Sequence, residues 1–183
     1  MRHSAEKTKL KEYDNMKKKE RRSLSLYVSR GALVAALYFA LTYLATLLNL
    51  SSGAIQFRIS EILCILPVFI PEAIPGLFIG CLISNIVTPG VVVWDVIFGS
   101  LATLIGALGA YALKKLPHKL MPIATLPTLL SNAIIVPFVL QYAYGVEDGY
   151  FFLMGTVGLG ELVCAVIGGS VLYFAIHKSK IFK

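Results

Sequence analysis

The chain has 183 residues, 57% of them hydrophobic, and a formal net charge of +7. That composition excludes an ordinary soluble domain of this length. The charge does not argue for nucleic acid either, because it is distributed like the cytoplasmic rim of a membrane protein: ten Lys and Arg lie in residues 1–30, four between 31 and 176 (Arg58, Lys114, Lys115, Lys119), and three in the terminal HKSKIFK.

Residues 1–26 read as a basic cytoplasmic extension. Their charges are spread out, and no small-residue cleavage site follows the first apolar run, so a secretory signal is not expected. Helix 1 is predicted over 27–48. It carries RGALVAALYFALTYLA, where Ala32, Ala36 and Ala40 fall on one stripe with Ala35 beside it. Such a stripe serves either packing within the bundle or a flat docking face for a partner membrane protein. The polar NLSSGAIQ follows. Helix 2 is predicted over 58–70 and helix 3 over 72–87, with PEAIP as the turn between them, since Pro71 and Pro75 disfavour a continuous helix. TPG ends helix 3. Helix 4 is predicted over 91–113, helix 5 over 120–144 and helix 6 over 150–176, with KKLPHK and GVEDG as loops. A short basic tail, 178–183, closes the chain. The expectation is an all-α membrane protein with one domain over 27–177, six transmembrane helices and both termini cytoplasmic.

Charge decides between five and six spans. With a cytoplasmic N-terminus, six spans put KKLPHK and HKSKIFK inside and GVEDG outside; five would put both basic segments outside. Helix 2 is then a short span of about 20 Å at 1.5 Å per residue.

Embedded polar residues cluster toward the outer half. Arg58 and Glu61 open helix 2, and at three apart they share a helix face, which also suits a surface salt bridge. Asn85 lies near the outer end of helix 3. Trp94 and Asp95 lie in the first turn of helix 4, where an anion also suits the helix dipole. Tyr144 ends helix 5. Asn132 and Glu161 lie about 18 Å and about 16 Å below the outer ends of helices 5 and 6. No basic residue is expected at the depth of Glu161, so an intramembrane carboxyl there reads as a ligand group. Trp94 and Tyr144 fit an interfacial belt as readily as a stacking wall. The pattern predicts a cavity open to one side. Nothing predicts catalysis: Cys64, Cys81 and Cys164 stand singly in apolar runs, and the sequence has no His-rich ligand set, nucleophile elbow, zinc motif or phosphate-binding glycine loop. No metal or cofactor is expected. Gly76, Gly80 and Ser84 recur at four-residue spacing and predict close helix packing.

The alanine stripe, the six-helix pattern, and the stretches IQFRISEILCILPVFIPEAIPGLFIGCLISNI and WDVIFGSLATLIGALGAYAL together resemble the substrate-binding subunits (S components) of energy-coupling-factor (ECF) transporters, and more narrowly the queuosine-precursor transporter family of QueT type. The resemblance covers about residues 29–177. It implies a subunit that captures a 7-deazaguanine, such as 7-aminomethyl-7-deazaguanine or queuine, outside the cell. It implies partners too: a membrane scaffold docking on Ala32, Ala36 and Ala40, and two cytoplasmic ATPases that power release. Within that frame the expected substrate-binding residues are Glu161, Glu61, Asn85, Asp95, Asn132 and Arg58, with Phe57, Trp94 and Tyr144 to stack on the ring. A different S component for another vitamin-like substrate, or an independent secondary transporter, is the alternative; the latter is usually larger and built from repeated halves, and no repeat is visible.

Overall fold

The computed structural model describes residues 2–50 and 56–179, with side chains from Ser23 onward. Parts of the expected NLSSGAIQ loop and of the basic tail lie outside the described residues. Those described form helices, turns and loops and no strands. Helix α1 spans Arg2–Leu47, so the backbone of the basic extension continues into the first span as one helix instead of starting at residue 27. α2 is Ala73–Val87, α3 Val93–Ala112, α4 Leu126–Ala143, α5 Tyr150–Glu161 and α6 Gly169–Ser179. A π-helical stretch, Leu162–Gly168, joins α5 to α6, making one helical rod over Tyr150–Ser179.

The expected second helix is not α-helical. Ile59–Val68 forms a 3₁₀ helix with Pro67 inside it. Pro67 has no N–H to give to an α-type bond, and the segment ends with Phe69 N–H donating to Leu66 O at 2.9 Å, a 3₁₀ spacing. The tighter helix rises about 2.0 Å per residue, so ten residues reach about 20 Å, the distance expected of thirteen α-helical ones. His118–Thr125, with Pro122 inside, is a second 3₁₀ stretch that leads into α4.

Glycines set the helix order. A Cβ on Gly76 would lie 2.5 Å from Gly31 O, and one on Gly80 would lie 2.9 Å from Ala35 O and 2.8 Å from Tyr38 Cβ. The Gly76, Gly80 row therefore packs on α1, and the rising residue numbers on both sides show α1 and α2 running parallel. The 3₁₀ segment between them carries the chain back. Gly106 and Gly109 receive Thr128 and Pro127 in the same way, bringing α4 antiparallel against α3. Each helix from α1 to α5 packs on the next, while Ile59–Val68 sits inside the arc against α1, α3, α6 and the π stretch. Its Cys64 and Ile65 are fully buried.

Among the described residues, four helical stretches are long and apolar enough to cross a membrane: Ser23–Leu47, Val93–Ala112, His118–Ala143 and Tyr150–Ser179. Ile59–Val68 and Ala73–Val87 are apolar but shorter. Large apolar side chains such as Leu33, Ile105, Phe151 and Val171 point outward, as lipid contact requires.

Candidate functional site

At one end of the bundle α1, α2, α3 and α4 enclose a cavity of about 480 Å³. Asp95, in the first turn of α3, is the most heavily supported group in its wall. Asn85 Nδ2 donates to its backbone carbonyl at 3.3 Å, and the Tyr144 hydroxyl donates to its Oδ2 at 3.2 Å. That hydroxyl also accepts from Val92 N–H at 3.2 Å, at the start of α3, where the helix leaves backbone donors free. Arg58 Nη2 stands 3.7 Å from Asp95 Oδ1, close enough for an ion pair but too long for a hydrogen bond. Asp95 Oδ1 is buried without a hydrogen-bond partner. Gly99 makes the room: a Cβ there would lie 3.0 Å from Asp95 Oδ1 and 3.1 Å from Asn85 Nδ2.

Tyr38 and Ser60 line the cavity, and Glu61, Asn132 and Glu161 are buried polar side chains outside its lining. Glu61, 0% exposed, is saturated: Oε1 accepts from Tyr38 OH at 2.5 Å and Thr103 Oγ1 at 3.0 Å, and Oε2 from Cys64 Sγ at 2.9 Å. Glu161, 1% exposed, lies at the junction of α5 with the π stretch, and its Oε2 has no partner. It is within electrostatic reach of Glu61 and Arg58. Asn132 is fully buried; its Nδ2 donates to Thr128 O at 3.1 Å and its Oδ1 is unpartnered. Buried polar atoms without partners are uncommon in folded proteins, so unpartnered acceptors on α4 and α5 call for an explanation.

Five of the nine residues expected to bind substrate, Phe57, Arg58, Asn85, Asp95 and Tyr144, line the cavity. Glu61, Asn132 and Glu161 lie buried outside its lining. Trp94 does not line it: the side chain is 58% exposed, stacks on Phe98 at 6.0 Å, and borders an apolar groove between α3 and α4. Arg58 and Glu61 do not form the surface pair that their spacing allowed, because Arg58 precedes the 3₁₀ segment with φ −89° and ψ 80° and turns to Asp95. Ala32, Ala36 and Ala40 are exposed on α1, and Ala32 and Ala36 border a second apolar groove, between α1 and α2. The sequence reading missed Tyr38, Thr42, Ser60, Gly99 and Thr103. The signal for the first two was present: the face of α1 away from the alanine stripe reads Val34, Tyr38, Ala45 at helical spacing, all buried, with Thr42 between them.

A family model described as "QueT transporter" matches residues 28–178. The chain belongs to the QueT transporter family. A relative from Lactococcus lactis subsp. cremoris (strain MG1363), "Queuosine precursor transporter QueT", is 31% identical over 149 residues, which cover 77% of this chain and 86% of the relative. No solved structure matches. Membership in the QueT transporter family, with its several apolar helices, makes the chain a multi-pass protein of the cell membrane and a transport protein rather than an enzyme.

Proposed function

We propose that this chain is the substrate-binding S component of an ECF-type importer and captures a queuosine precursor, a 7-deazaguanine such as 7-aminomethyl-7-deazaguanine or queuine. The observation that carries the reading is the acidic character of the cavity and its surroundings. Asp95 in the wall and the buried Glu61 and Glu161 stand against one cation among the described residues that line the cavity, Arg58. Such a site suits a cationic, donor-rich base, whose adjacent N–H groups a carboxylate accepts and whose ammonium it neutralises. Phe57 and Tyr144 offer ring faces, and Asn85 both donates and accepts. The buried Glu61, Asn132 and Glu161 set the charge around the site.

The topology in this reading has six crossings and both termini in the cytoplasm. It is supported by the parallel run of α1 and α2, which requires Ile59–Val68 to return between them, and by the basic segments that six crossings gather on one side. The cavity then opens outside. The exposed Ala32, Ala36, Ala40 stripe is the docking face for the scaffold, and two ATPase subunits on that scaffold supply the energy.

The test is the purified chain in liposomes. Stoichiometric binding without accumulation, and accumulation only after the scaffold and ATPases are added with ATP, is the expected result. Ion-coupled accumulation by the chain alone would make it a secondary transporter instead.

A further inference from the structure

The charged residues of the cavity stand on one side. Among the described residues that line it, the charged ones are Arg58 and Asp95, and Arg58 is turned to Asp95 at the start of α3. The wall that α1 contributes is neutral but not apolar. Thr42 and Thr46, one helical turn apart and half-buried, line it together with the buried Ser60 at the start of the 3₁₀ segment. Hydrogen bonding gives these threonines a fixed sense. A hydroxyl has one proton and two lone pairs. Thr46 donates to Thr42 O at 3.0 Å, and Thr42 donates to Tyr38 O at 3.0 Å or to Ser60 Oγ at 2.9 Å. Thr88, at the end of α2, lines the same cavity and donates to Ser84 O at 2.8 Å. Each proton is spent on a protein acceptor, so these oxygens offer the cavity lone pairs. Back-bonding of this kind satisfies a threonine in an apolar helix, but it does not by itself put three of them around one space. Tyr38, Tyr144 and Asn85 spend their donors on the protein in the same way.

We infer that the threonine wall is a subsite for hydroxyl donors, and that the cavity takes a deazaguanine whose 7-substituent runs on past its amine into a diol. The inference rests on the proposed substrate and deepens it. The ammonium pairs with Asp95, and the O–H groups beyond it donate to the oxygens of Thr42 and Thr46. A bare aminomethyl base satisfies Asp95 but leaves the neutral wall without a partner. Size agrees. The cavity of about 480 Å³ falls among the pockets of about 300–1,000 Å³ that hold drug-sized ligands, and a two-ring base leaves part of it unfilled. Queuine, which is the aminomethyl base with a dihydroxycyclopentenyl ring on its amine, has the required groups. Thr42 and Thr46 then set specificity among deazaguanines, while Asp95 holds the cation common to them.

The experiment is equilibrium binding to the purified full chain in detergent. The ligands are 7-aminomethyl-7-deazaguanine, queuine, and a queuine analogue with the same cyclopentenyl ring but no hydroxyls. The wild-type chain is expected to bind queuine at least about fivefold more tightly than either of the others. Thr46→Val keeps the branched shape and removes the oxygen. It is expected to weaken queuine binding by about fivefold or more and to change the other two by less than about twofold. Queuine bound no more tightly than its hydroxyl-free analogue or than the bare aminomethyl base would overturn the subsite. So would a Thr46→Val loss equal for all three ligands, which is what a merely structural threonine gives. Should Thr46→Val not fold, the wild-type comparison decides alone. If the wild-type chain binds deazaguanines without regard to the hydroxyls, only the subsite fails. If it binds none, the proposed substrate fails and the subsite falls with it.

Discussion

Glu61 is a fully buried carboxylate and Asp95 a partly buried one in the same apolar bundle, and they are held in different ways. Glu61 is buried with three donors from α1, α3 and its own segment. Asp95 sits in a cavity wall, held through one oxygen by Tyr144, with its other oxygen short of a hydrogen bond. A saturated carboxylate is structural glue, because removing it strands its donors. An incompletely satisfied one beside open space can accept a new partner without first losing an old one. The difference separates the residues that build this site from those that are free to recognise something.

The largest effect should come from attacking the saturated group. Glu61→Ala takes the acceptor from Tyr38 and Cys64 and leaves Thr103 only its bonds to Gly99 O and Cys81 Sγ, and is expected to destabilise the fold by at least about 3 kcal/mol, read by thermal unfolding in detergent. A loss below about 1 kcal/mol would mean that these hydrogen bonds contribute little. Next is the backbone contact that positions Tyr38. Gly80→Leu pushes a side chain into Ala35 and Tyr38 and should cost about 1–3 kcal/mol by the same measurement, since backbone on α1 cannot yield as a side-chain tip would.

Asp95→Asn should behave in the opposite manner. It keeps the shape and the Tyr144 contact, so unfolding is expected to change little while binding of a cationic deazaguanine weakens by about tenfold, or about 1.4 kcal/mol. If stability fell and affinity held, Asp95 would join Glu61 among the structural groups. The smallest effects on stability and binding belong outside both regions. Ala36→Leu is expected to leave binding unchanged but abolish ATP-driven uptake in the assembled transporter, and normal uptake would remove the stripe as a docking face. Trp94→Ala, in the groove between α3 and α4, should alter affinity by less than about twofold; a larger loss would bring that groove into the site.

Much of this arrangement was legible in the residues. The apolar runs gave the helices, and charge along the chain gave a reason to split 58–87 into two segments. The gathering of Phe57, Arg58, Asn85, Asp95 and Tyr144 at one end follows from depth along alternating helices. What depth does not give is rotation. Trp94 and Asp95 are neighbours in sequence, yet one residue turns a helix by about 100°, which carries the indole to an outer groove and the carboxylate inward. Local helix type was also hidden. Periodicity cannot tell a short buried α-helix from the 3₁₀ form, and Pro67 marks the difference only once the span to be covered is known. The π stretch after Glu161 left no signal in the apolar LVCAVIG. Tyr38 lies on the face of α1 opposite the alanine stripe, and its partner Glu61 comes to it only through the packing of α1 against the 3₁₀ segment, which no local pattern shows.

The most direct measurement is a binding titration on the purified chain in detergent with 7-aminomethyl-7-deazaguanine, alongside queuine, guanine, riboflavin and thiamin. Tight one-to-one binding of the deazaguanine, far weaker binding of guanine, and loss of that preference in Asp95→Asn is the predicted result. A folded chain that binds no deazaguanine, or binds it equally well with Asp95 neutralised, would contradict the assignment of the acidic cavity as the substrate site.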